Sequence, residues 1–89
     1  MSRYLVERYE PGIAPETLEI ETRRLADAVS AMRLEGASIE LLGSTFLPGD
    51  EAVFERFESA SEDLVATAHA RAAVPYARIS EAVPLHGGE

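Results

Sequence analysis

The sequence contains no cysteine. That excludes a disulfide framework, a thiolate metal site and a cysteine nucleophile, and it agrees with the reducing cytoplasm as the expected location. Basic residues are scarce as well: 8 Lys and Arg stand against 16 Asp and Glu, for a formal net charge of -8. The cations are scattered, so the counterion release that drives non-specific nucleic-acid binding is lacking, and nucleic acid is not an expected partner. No apolar run approaches the roughly 20 residues that span a bilayer, and Met1-Ser2-Arg3-Tyr4 leads into structured sequence without a signal-peptide core. A membrane is not an expected partner either. Histidine is limited to His69 and His86, no serine sits in a Gly-x-Ser-x-Gly elbow, and the glycines punctuate turns without forming a Gly-x-Gly-x-x-Gly phosphate loop.

What is present is a short chain of 89 residues with 46% hydrophobic and 27% charged residues. A domain of this size hides only about 60–65% of its unfolded surface. Covering more apolar surface by self-association would stabilise it, so a homodimer, with further assembly open, is the expected state.

Arg3 to Tyr9 alternates, with Leu5, Glu7 and Tyr9 on one side and Tyr4, Val6 and Arg8 on the other, which predicts a strand. Pro11 and Gly12 break it. Pro15 suits a first helical turn, Leu25, Val29 and Met32 form one helical stripe, and Gly36 fits the position just past the helix end. Ala37 to Leu47 predicts a second strand, Pro48-Gly49-Asp50 a turn, and Ala52 to Phe57 the hairpin partner. Ser59 and Glu62 have capping-box spacing, which starts a second helix running to about Ala73. Arg78 to Val83 reads as a last strand, and the tail 84–89 is expected to fray at Gly87-Gly88.

The order βαββαβ is that of a ferredoxin-like α+β domain, residues 1–83, with a four-stranded antiparallel sheet in the order 4-1-3-2 and both helices on one face. Neither face of the predicted strands is cleanly polar, which favours a second copy packed on the open face. Three strands carry a glutamate between apolar neighbours: Leu5-x-Glu7-x-Tyr9, Val53-x-Glu55-x-Phe57 and Ile79-x-Glu81-x-Val83. Neighbouring strands would bring Glu7, Glu55 and Glu81 together as a raised-pKa acid or base, or as a hard-cation site. The plainer alternative pairs them with Arg8, Arg56 or Arg78. His69, at the border of the Leu64, Val65, Ala68 and Ala72 stripe, reads as a half-buried side chain or as a single metal ligand. Tyr4, Tyr9 and Tyr76 would line a pocket or simply pack.

The opening Arg3-Tyr4-Leu5-Val6-Glu7-Arg8, the helix start Ser61-Glu62-Asp63-Leu64 and the run His69-Ala70-Arg71-Ala72-Ala73-Val74-Pro75 before Arg78-Ile79-Ser80-Glu81 together resemble a family. It is that of small ferredoxin-like proteins of uncharacterised role, among them a nickel-binding protein, within the dimeric α+β barrel superfamily. The resemblance implies a homodimer with facing sheets and a cavity in each subunit for a small molecule or a divalent metal such as nickel. It matches His69 to a histidine on the second helix of some members and sets Leu41 where the family carries a strand histidine. Leu41 cannot replace an imidazole ligand, which argues against nickel. Three functions follow as expectations: a dimeric module that binds a small molecule or metal between sheet and helices; a cofactor-independent monooxygenase, cyclase or isomerase using Glu7, Glu55, Glu81 or His69; and a structural or assembly protein that meets a partner through its acidic surface.

Overall fold

The computed structural model describes residues 1–86. The order is β1 (Ser2–Tyr9), α1 (Pro15–Leu34), β2 (Ile39–Leu47), β3 (Ala52–Ser59), α2 (Glu62–Ala72) and β4 (Arg78–Ala82). The four strands form one antiparallel sheet in the order β2-β3-β1-β4, which is the expected 4-1-3-2 read from the other edge. The fraying expected at Gly87-Gly88 lies outside the described residues.

Register decides which side chains enter the core. Val6 lies opposite Glu55 on one side and Ile79 on the other, Tyr4 opposite Phe57, and Arg8 opposite Val53. Directly opposed residues share a face, so these belong to the side covered by the helices. Leu5, Glu7, Phe54, Arg56 and Arg78 occupy the other side. The core is formed on the helix-covered side by Val6, Phe57 and Ile39 from the sheet, Leu25, Val29 and Met32 from α1, and Val65, Ala68 and Ala72 from α2.

The ends of α1 follow the sequence closely. Pro15 occupies the first turn, where a missing N–H costs nothing. At the far end Gly36 takes φ +98°, while Gly36 N–H donates to Arg33 O and Ala37 N–H to Met32 O, the paired bonds of a Schellman stop. The start of α2 differs from expectation. Ser59 is still in the strand, paired with Ser2 and Ile39 and buried, and the capping residue is Ser61, whose Oγ accepts from Leu64 N–H at 3.3 Å. Ser59 Oγ instead donates to Ser61 O at 2.9 Å. Removing the cap with Ser61→Ala is expected to lower stability by about 1 kcal/mol in chemical denaturation, with Ser61→Asp close to the parent. Loss of well under half that amount would mean that the α2 terminus is held by packing alone. The other end of α2 lies where expected, capped by Ala73 in the left-handed region with φ 55°, two residues before Pro75.

Candidate functional site

Arg8 occupies a position the alternation assigns to the core, and its side chain is 1% exposed. A buried guanidinium must be paired and hydrogen-bonded to be tolerated. Three elements supply the partners. From β3, Glu55 accepts from Arg8 Nε at 3.1 and 3.2 Å through its two oxygens. From the β1–α1 connection, Glu10 accepts from Nη1 at 2.7 Å, and from α1, Glu21 accepts from the same nitrogen at 2.8 Å. One cation therefore holds three carboxylates. Burial pushes the Glu55 carboxyl up from its ordinary value, against the opposing hydrogen bond and charge of Arg8. Burial also raises Glu10, helped by its hydrogen bond to Glu21. Desolvation works against the charge on Arg8, yet its bonds to Glu55 and Glu21 leave it raised and fully protonated.

His69 completes the cluster. Its side chain is 1% exposed, which corrects the expected half-buried placement: the ring lies 5.7 Å from the Phe57 ring and 5.2 Å, edge-on, from that of Tyr76. His69 Nδ1 is 2.9 Å from Val74 O. Since a carbonyl only accepts, Nδ1 carries the proton and Nε2 presents a lone pair. Burial lowers the pKa of this imidazole, with the Arg8 charge adding to the effect and the Val74 carbonyl opposing it. Nε2 stands 3.8 Å from Glu55 Oε1, too far for a hydrogen bond.

The three glutamates do not converge as expected. Glu55 lies under the helices, whereas Glu7 is on the opposite face and accepts from Arg78 at 3.0 and 3.2 Å, and Glu81 is exposed on the edge strand β4. The pairings with Arg8 and Arg78 are those of the plainer alternative. Tyr9 and Tyr76 do come together, lining with Arg8, Pro75 and Ala77 a depression of about 260 Å³. Arg8 was expected only as one of several partners for the glutamates; the signal of its central place is an arginine in phase with Tyr4 and Val6. Among the described residues no group of three His, Asp or Glu side chains is placed to hold a metal.

A groove of about 630 Å³ lies between the first half of α1 and the β2–β3 hairpin. Leu18, Thr22 and Ala26, one turn apart, form one wall, and Phe46 and Val53 form the other. Ser44 also lines it and lies opposite Glu55 across the β2–β3 pairing, so the groove and the buried cluster meet at that residue.

No protein-family model matches this sequence, and no curated protein is similar to it. The fold is similar to that in the crystal structure of SCO4226 from Streptomyces coelicolor A3(2), with a TM-score of 0.77 over 97% of this chain and 100% of that one, at 17% identity. A likeness at that identity establishes the ferredoxin-like α+β fold and nothing finer. Among the described residues no helix is long and apolar enough to cross a membrane.

Proposed function

We propose that this protein binds a small organic molecule in the groove between α1 and the β2–β3 hairpin, and acts as a homodimer. The observation that carries the reading is the groove itself. At about 630 Å³ it falls in the range of small-molecule sites, roughly 300–1,000 Å³, and it combines apolar walls with a few polar groups, as such sites do. Ile13, Leu18, Phe46 and Val53 supply the apolar contact, and Ser44, Thr22 and Thr45 supply hydroxyls. The neutral fluorescent probe N-phenyl-1-naphthylamine is expected to bind the parent protein, and Ala26→Trp, which fills the groove from an exposed helix position, to weaken it about tenfold or more. Equal binding by the parent and the filled variant would remove the groove from consideration.

The homodimer rests on the sheet face away from the helices. Leu5, Phe54 and Tyr9 lie there beside the Glu7–Arg78 pair, and among the described residues no helix covers them. A second copy packed on this face would bury apolar area that one chain of 89 residues leaves open. Native mass spectrometry is expected to show a dimer for the parent and a monomer for Phe54→Glu, while a monomeric parent would overturn the arrangement.

The side chains present do not fit a nickel centre. His69 could offer its Nε2, since Nδ1–H is held by Val74 O as in many ligating histidines, but Leu41 provides no ligand and among the described residues no group of three His, Asp or Glu side chains is placed to hold a metal. A catalytic reading has one specific observation in its favour: a carboxyl raised and an imidazole lowered by burial lie 3.8 Å apart, a pairing suited to moving a proton without a cofactor.

A further inference from the structure

Two polar atoms of the buried cluster have no hydrogen-bond partner: Arg8 Nη2, a donor, and His69 Nε2, an acceptor. Buried groups of this kind are costly unless something satisfies them. They belong to side chains that meet at one atom, Glu55 Oε1, which lies 3.1 Å from Arg8 Nε and 3.8 Å from His69 Nε2. From these atoms we infer that the protein has a second site, beneath Tyr76, for the hydroxyl group of a small neutral molecule with an apolar body.

The polarity of the two atoms selects the ligand group. An anion would satisfy Arg8 Nη2 but leave the imidazole lone pair facing negative charge, and it would enter beside the carboxylates of Glu10, Glu21 and Glu55. A cation would satisfy His69 Nε2 but cannot accept from Arg8. A hydroxyl does both, its oxygen accepting from Nη2 and its proton donated to Nε2. Water has the same capacity, and the surroundings distinguish the two. Tyr76 and Pro75 line both the depression of about 260 Å³ beside Arg8 and one of about 600 Å³ beside His69. The second is walled by Ala66, Ala70 and Ala73, small apolar side chains that leave room for carbon and offer a water nothing. The Tyr76 ring, 39% exposed and edge-on to His69, lines both depressions, and entry requires it to swing off the imidazole.

The test follows the imidazole nitrogens of His69 by long-range proton–nitrogen NMR at neutral pH as probes are added. Phenol and cyclohexanol are expected to move Nε2 toward the hydrogen-bonded range, whereas toluene and benzoate, which lack the neutral hydroxyl, leave it unmoved. His69→Phe, which keeps an aromatic ring in the space, should weaken phenol binding about tenfold, the equivalent of one lost hydrogen bond in a buried site. Tyr76→Ala should retain the phenol response. No movement of Nε2 with either alcohol would overturn the inference, as would an equal response to toluene. An Nε2 already hydrogen-bonded before any probe is added would also overturn it, since Glu55 or a resident water would then satisfy it. Shifts confined to Val53 and Phe46 would leave the α1 groove standing while removing this site, so the two readings fail separately.

Discussion

Replacing Arg8 with methionine is expected to lower the free energy of unfolding by about 3–5 kcal/mol, the cost of leaving one member of a buried ion pair without its partner. Methionine keeps much of the aliphatic bulk, so the loss reports charge and hydrogen bonding and not a cavity. The carboxylate left stranded is Glu55, which is 0% exposed. Glu10 and Glu21, whose side chains are 19% and 14% exposed, turn outward at smaller cost. The double variant Arg8→Met with Glu55→Met therefore regains most of the loss, because a buried pair exchanged for apolar side chains is close to neutral. Urea denaturation of the two variants and the parent checks this. A single Arg8→Met loss below about 1 kcal/mol, in the range of exposed ion pairs, would show that solvent reaches the cluster.

The same cluster shows where reading the sequence succeeds and where it stops. Local signals specify the elements: the Leu25–Val29–Met32 stripe, Gly36 just past α1 and the Pro48-Gly49 turn each act within a few residues, and each is found where its chemistry requires. The βαββαβ order then leaves few sheet arrangements. The site depends on a choice that local signals do not make. Alternation says which residues of a strand share a face, but not which face meets the helices, and a wrong choice turns every side chain over. Glu7 and Glu55 each sit between apolar neighbours and look equivalent in the sequence. The β1–β3 register places Glu55 opposite Val6 and Glu7 opposite Phe54, so they occupy opposite faces. Ser59 failed as a cap for a related reason. Pairing with β1 and β2 carries the strand through it, and long-range hydrogen bonding overrides a four-residue motif. The burial of His69 needs Phe57, Val74 and Tyr76 around one ring, which no helical periodicity encodes.

Acidity acts on this cluster in two opposing directions, and single substitutions separate them. Glu55 and Glu10 have folded-state pKa values raised above 4.5. Above that value the native state holds protons that the unfolded chain has released, so their contribution to stability is complete at lower pH and is lost as pH rises. His69 is lowered from 6.5. Below that value the unfolded chain takes up a proton that the native state refuses, so its contribution is complete above 6.5 and is lost as pH falls. Between 4.5 and 6.5 the two slopes oppose each other, and the parent protein is expected to vary less than either variant. Glu55→Gln removes the Glu55 share of the falling contribution and leaves that of Glu10, so its stability climbs more steeply with pH across the window than the parent's. His69→Phe removes the rising term and tilts the curve the other way. Each change in slope reaches at most about 1.4 kcal/mol per pH unit, the value for one proton. Unfolding free energies from urea titrations at intervals across the window would show it. Curves for the two variants running parallel to the parent would mean that neither group exchanges its proton on folding. Slopes displaced in the same direction would contradict the opposite shifts that burial imposes on an acid and a base in one cluster.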